Sequence, residues 1–297
     1  LCLIVPCPFA AQRKLHMPVM ARLYRSAKSC QGGQRPFKTR HELLSQMLEK
    51  LCHWLPERRI RLCADGAYAA EKMLSSLPSQ VAFTARVRRD AALYELAPER
   101  TNKRGRPREK GARLPALKAL GEKARGQLGQ VTRYGVTEEV LLHTFVCLWP
   151  TVAKKQPLRI VIVRDPHGKE PADYFFTTDV ATSVVAVTEE YAGRWGIEEA
   201  IRELKQSLGM DEVQSWSSPG VWRQVPFVMI VHSLVVAAYY KALGATVTDG
   251  FVPPSFGQML TRLRFGLWEE RIKEALAFEE SESKIMADLH AILQTAA

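Results

Sequence analysis

Within the first 88 residues, short apolar runs alternate with amphipathic ones in an order that few folds accommodate. Leu1–Cys7 (LCLIVPC) and Pro18–Ser26 read as strands joined by a Pro-containing connection. Arg40–Leu55 reads as a helix, with Leu43, Leu44, Met47, Leu48 and Leu51 on one stripe. Ile60–Ala64 is a short strand ending at Asp65-Gly66, Tyr68–Leu77 a helix and Val81–Val87 a further strand. Strand, strand, helix, strand, helix, strand predicts a mixed α/β sheet.

That pattern breaks after residue 88. Leu96–Arg113 is rich in charge, Pro and Gly and reads as a loop. Val131–Tyr134, Val140–Trp149, Leu158–Arg164 and Tyr174–Thr178 are β-type runs separated by turn signals such as Asp165-Pro166-His167-Gly168. From Ser183 onward the pattern is helical. The expected organisation is a first core segment (1–88), a β-rich insertion with a basic loop (89–179), a second core segment (180–243) and a helical C-terminal tail (244–297). The apolar run Val225–Tyr240 contains Pro226, His232 and Ser233 and is shorter than the ~20 residues of a membrane span, so it is expected to be a buried core helix.

Composition narrows the partners. Lys and Arg exceed Asp and Glu by 42 to 31, for a net charge of +11. This excess suits a polyanion, most simply nucleic acid. The six cysteines, Cys2, Cys7, Cys30, Cys52, Cys63 and Cys147, include no CxxC pair and suggest neither a zinc site nor a disulfide framework. They fit a reducing cytosol. No signal peptide is visible, since LCLIVPCPFA is short and has no basic flank.

Two places carry chemistry. The stretch YAGRWGIEEAIRELK spaces Tyr191-x2-Arg194-x3-Glu198-x6-Lys205. On an ideal helix these four side chains fall within an arc of about 60°, beside the apolar stripe of Ile197, Ile201, Leu204 and Leu208. A carboxylate there can be partly desolvated yet reachable, with cations to hold an anionic ligand. An amphipathic surface helix with ordinary i,i+4 pairs explains the same spacing. The second place is Arg61-Leu-Cys-Ala-Asp65-Gly-Ala-Tyr68. An acid at the C-terminal end of such a strand sits where ligands bind in α/β sheets. The same Asp can equally cap the next helix. Together, a strand-end Asp and a helix-borne Glu can share divalent cations for phosphoryl transfer.

These residues resemble a known family. Tyr191-x2-Arg194-x3-Glu198-x6-Lys205 matches the YREK signature of bacterial insertion-sequence transposases with a DDE active site, and Ala64–Tyr68 (ADGAY) is similar to the block around their second catalytic Asp. The resemblance implies an RNase H-like α/β fold with a β-rich insertion and a helical tail. It implies Asp65 and Glu198 as catalytic carboxylates holding Mg²⁺ (or Mn²⁺), with Tyr191, Arg194 and Lys205 on the DNA phosphates. It also implies double-stranded DNA (transposon ends and target) as substrate, a homodimer on paired ends, no membrane, and a cytoplasmic, nucleoid-associated location in a bacterium. One departure stands out. Residues 1–64 contain no Asp; their acids are Glu42 and Glu49 on the expected helix and Glu57 after Pro56. The family's first Asp, with its strand, is therefore expected to lie outside this sequence, which opens on Leu1. The polypeptide alone is not expected to catalyse strand transfer; the alternatives are a non-catalytic DNA-binding remnant or inhibitor, or a metal-dependent nuclease that does no transposition.

The segment 86–113 is rich in Lys and Arg, and within it Lys103-Arg104-Gly-Arg106-Pro-Arg108 resembles an AT-hook core that lies in the minor groove of A·T-rich DNA. A solvated basic loop is the other reading. Trp216 and Trp222 suit core packing more than stacking on an unpaired base, and the histidines have no ligand-like spacing.

Overall fold

The computed structural model of the chain describes residues 1–7, 15–31, 36–99, 106–123, 125–215, 217–243, 254–277, 287 and 291. Two compact units divide it: residues 1–3 with 20–197, and residues 4–19 with 198–297.

β1 (Cys2–Pro6) and β2 (His16–Ala21) form a two-stranded sheet. A short helix α1 (Ala27–Cys30) follows, then α2 (Arg40–Trp54), which buries Leu43, Leu44, Met47 and Leu48, the stripe expected from periodicity. Thr39 and Glu42 begin α2 with a reciprocal capping box. The Glu42 carboxyl also takes Lys72 Nζ at 2.7 Å. The bonds from Lys72 and from Thr39 hold it well below its ordinary 4.5, at about 2. Its folded value is depressed, so its contribution to stability is complete above about 4.5 and is lost as pH falls towards about 2. An NMR titration of the Glu42 carboxyl is expected to show a midpoint near 2. A midpoint at the ordinary value would mean these bonds are absent in solution.

The main sheet of the first unit has six strands: β3 (Ile60–Cys63), β4 (Val81–Arg86), β5 (Gln127–Arg133), β6 (Val136–Leu148), β7 (Pro157–Arg164) and β8 (Asp173–Thr177). Their order is β3-β4-β8-β7-β6-β5. β3 and β4 are parallel, with Cys63 opposite Thr84, and all other pairs are antiparallel. This is a curled mixed α/β sheet, the fold class expected from the sequence and consistent with an RNase H-like arrangement. The strands of 127–177 thus continue the sheet that β3 and β4 begin.

Alternation sends successive side chains to opposite faces. On β7, Ile160 and Ile162 join Phe83, Phe176, Trp149, Leu44, Leu48 and Met73 in one core. Val161 and Val163 face a second core with Val131, Val140, Phe175, Val187 and Tyr191. A strand covered on both faces reads as an unbroken apolar run, which is why PLRIVIVR carries no polar alternation.

Three helical expectations are corrected. Tyr68–Leu77 is not one helix: a 3₁₀ turn spans Gly66–Tyr68, Ala70 is extended, and α3 covers only Glu71–Ser75. Asp65 caps the 3₁₀ turn, and its tight i→i+3 bonding does not run on into α3. Between α4 (Leu117–Lys123) and the later helices lies the one-turn α5 (Pro150–Ala153). Tyr191–Lys205 is also not one helix. α6 (Val184–Gly193) ends and α7 (Gly196–Leu208) begins around a turn at Arg194-Trp195, where Arg194 N–H bonds Tyr191 O at 3.0 Å and Trp195 N–H bonds Ala192 O at 3.2 Å. These are i→i+3 bonds, and Gly193 and Gly196 on either side are weak helix formers.

In the second unit, α8 (Ser218–Leu243) and α9 (Phe256–Ala277) enclose a core of Cys7, Leu15, Val235, Val236, Tyr239, Tyr240, Phe256 and Met259. His232 lies flat on Phe256, with centroids 4.3 Å apart, and its Nε2 is 2.9 Å from Glu203 Oε2. The third correction is α8 itself, which is longer and less buried than the run Val225–Tyr240 suggests. Val228, Met229 and Val236 are covered, but Phe227 is 65% exposed, Ile230 58% and Leu234 61%. By length and composition, Pro219–Ala242 could cross a membrane.

Candidate active site

Asp65 stands two residues beyond Cys63, the end of β3, and Ala64 between them still bonds β4 through Thr84 O at 3.0 Å. The chain must turn sharply there. Asp65 Oδ1 accepts the Ala67 N–H at 2.9 Å, and Tyr68 N–H closes onto Asp65 O at 2.9 Å. Gly66 permits the close approach: a Cβ at this position would meet Arg86 O at 3.3 Å. His41 Nε2 reaches Ala67 O at 3.2 Å, and its ring meets Tyr68 edge-on at 5.6 Å. The capping reading of Asp65 therefore holds for one oxygen. The residue is exposed, and Oδ2 takes no part in the turn.

Tyr191, 126 positions further along the chain (191 − 65), lies close enough to this turn to feel the Asp65 carboxylate, and Arg194 stands against the Tyr191 ring. Burial pushes the Tyr191 phenol above its ordinary value; the guanidiniums of Arg194 and Arg86 pull it back, and the Asp65 carboxylate adds to the rise. The ring is packed on Phe175 at 4.5 Å, with the Arg86 and Arg194 guanidiniums each 5.8 Å from its centroid. Only 8% of Tyr191 is exposed, so its ring is core. What it can offer a ligand is its hydroxyl, which also bonds Arg194.

Charged pairs brace the surroundings. Arg61 on β3 pairs with Glu190, which directly precedes Tyr191. Beneath them the Cys63 thiol is pushed up to about 12, chiefly by burial and then by Glu190, so it stays a thiol and packs as one. Arg86 Nη2 donates to Asp173 Oδ1 at 2.5 Å. Asp173 also meets Arg133 at 3.5 Å, and Arg133 Nε donates to Glu138 at 2.5 Å. Sequence reasoning counts Arg86 only as part of a basic segment and does not single out Arg61, Arg133, Asp173 or Glu190. A signal for Arg86 exists: it ends the strand parallel to the one that leads into Asp65.

The other motif residues belong to the second unit. Glu198 is exposed in the first turn of α7. Lys205 pairs with Asp211 at 3.1 Å and holds that carboxyl below its usual range. In the basic segment, Arg104 lies outside the described residues, as does Trp216. Arg106 pairs with Glu109 at 2.7 Å, Lys155 shares the same carboxylate at 3.1 Å, and Arg108 is exposed. The loop has a closed neck: Glu95 N–H bonds Ala112 O at 2.9 Å and Gly111 N–H bonds Glu95 O at 3.0 Å.

Among the described residues, no group of three or more His, Cys, Asp or Glu is gathered as a metal cage. Mg²⁺ does not require one. It keeps several waters and binds through one or two carboxylates plus substrate phosphates. The exposed Asp65 carboxylate, on a turn that packs against Arg86 at the end of β4, fits one such ligand.

Comparison with known proteins bears on the same turn. No curated protein matches the chain. The family model described as DDE superfamily endonuclease matches residues 1–139, a span that contains Asp65, Arg86, Arg106 and Arg108 and ends before Tyr191. This part of the chain is thereby supported as a DDE-type, transposase-like endonuclease domain, a kind of domain whose substrate is DNA.

Proposed function

We propose that the chain is the catalytic portion of an insertion-sequence DNA transposase, which cuts and rejoins DNA at element ends. One observation carries this reading: the Asp65-Gly66 turn, inside the matched span, abuts Arg86, whose guanidinium stands 5.8 Å from the ring of Tyr191, outside it. In this reading Asp65 and Glu198 hold Mg²⁺ or Mn²⁺, which when bound activates the attacking oxygen and stabilises the leaving one. Arg86 and Arg194 hold the phosphates flanking the scissile bond, with the Tyr191 hydroxyl and Lys205 as further donors. Arg104, Arg106 and Arg108 follow the minor groove. Two copies act together on paired ends.

A second reading is DNA binding without cleavage. It is favoured by the acids of the first 64 residues. Glu42 is consumed by the capping box and Lys72, and Glu49 and Glu57 are exposed on or just after α2. None lies on a strand.

DNA binding and nicking of supercoiled plasmid, measured in EDTA, Mg²⁺ and Mn²⁺, test both. DNA binding with little nicking by this polypeptide alone is expected. Mn²⁺ is expected to strengthen binding by bridging carboxylate and phosphate, and Asp65→Asn or Glu198→Gln is expected to cancel that gain while leaving binding in EDTA intact. If Mn²⁺ changes nothing and no cut appears, the second reading stands. If the chain binds no DNA, both fall. Robust nicking would show that the two carboxylates suffice.

A further inference from the structure

The β5–β6 hairpin ends in a two-residue turn, Tyr134-Gly135, closed by the pair Arg133–Val136. Both turn residues have positive φ, 54° and 82°. A two-residue hairpin turn of this kind favours Asn or Asp followed by Gly. Gly135 suits its place, whereas Tyr134 is a bulky side chain in a conformation that such residues rarely adopt. Burial does not offset that strain, because Tyr134 is 69% exposed and its neighbour Val136 64%. Strain without an intramolecular return marks candidate functional positions.

The tip is held firmly. Val131 and Val140 at the base of the arm are buried with Val187 and Tyr191, and Thr132 N–H donates to Glu189 Oε1 at 2.7 Å, which ties the arm to α6. Arg133, whose side chain is only 16% exposed, pairs with Glu138 and with Asp173. Asp173 in turn holds Arg86 beside Tyr191. An exposed aromatic ring thus follows an arginine whose ion pairs lead to Arg86, the residue on which Gly66 packs.

We propose that Tyr134 is a nucleic-acid contact residue, stacking on a base of the DNA whose phosphates occupy the Arg86–Arg194 site; this rests on the reading of that site as a DNA site. The surroundings favour a nucleobase over an apolar protein partner. Tyr134 directly follows Arg133, which Asp173 links to Arg86, in a chain of net charge +11 whose matched domain is of an endonuclease kind. Every base presents a π face, so such a contact tolerates any sequence.

Fluorescence anisotropy with a labelled duplex bearing a single-stranded end tests the assignment. Tyr134→Ala is expected to weaken binding about tenfold with an unchanged salt slope, because a stacking contact releases no counterions. Tyr134→Phe keeps the affinity. Tyr134→Asn loses it as Ala does, yet raises the thermal midpoint, since Asn accepts positive φ. Equal binding by the parent, Ala and Asn chains would overturn the assignment and leave the Asp65 reading intact. A fall in affinity accompanied by a shallower salt slope or a lower thermal midpoint for Asn would assign Tyr134 a structural role instead. A parent chain that binds no DNA would overturn both.

Discussion

Raising monovalent salt from about 50 to about 200 mM is expected to weaken DNA binding by this chain about a thousandfold. The expectation follows from charge distribution as well as from net charge. Of the cations on the main sheet, Arg61 and Arg133 are committed to Glu190 and Glu138, and Arg86 shares Asp173. Arg58, Arg59, Arg89 and Arg108 are exposed, and Arg88 is 54% exposed beside Asp90. A footprint of on the order of six phosphates gives a log–log slope near −5 and a loss of this size. Arg108→Ala is expected to reduce the slope by about one if the basic loop tracks the backbone. Greater loss on A·T-rich than on G·C-rich duplex would mark minor-groove insertion. A flat response to salt would remove DNA from the list of partners, and with it the assignments of Tyr134 and the arginines.

Trp149→Ala is expected to destabilise the first unit by about 3–5 kcal/mol, measured by denaturant unfolding. Trp149 has no exposed surface, meets Phe176 edge-on at 5.6 Å, and lies under the Arg88 guanidinium at 6.0 Å. It also begins α5 and shares a core with Phe83, Leu158 and Ile160. Its truncation opens a cavity between sheet and helices that rigid strands cannot close. Trp149→Phe is expected to cost far less, about 1 kcal/mol. It keeps most of the ring and removes an indole N–H that is buried with no hydrogen-bond partner among the described residues. Equal losses for the two variants would show that the indole N–H has a partner in solution.

Local physics makes much of this protein legible in its amino-acid order. The stripe Leu43, Leu44, Met47 and Leu48 defines α2 because helical period alone decides which side chains share a face. The run PLRIVIVR indicates a strand because β-branched residues flanked by turn signals suit little else. Asp65-Gly66 is recognisable as a strand-end turn, and the YREK spacing is recognisable as a pattern. Tertiary structure decides what those patterns do. Helical period places Tyr191 and Arg194 on one continuous helix, but the turn at Arg194-Trp195 follows i→i+3 bonding between two glycines, a choice that propensity leaves open. Packing makes the Tyr191 ring part of a core on Phe175, which no wheel diagram can indicate. The partners Arg61–Glu190, Arg86–Asp173 and Arg133–Glu138, together with the exposure of Tyr134, depend on the curl of the sheet and the seating of α6. Periodicity reports only which way a side chain points along its own element, whereas these contacts join elements up to 129 positions apart, and only the fold sets their distances.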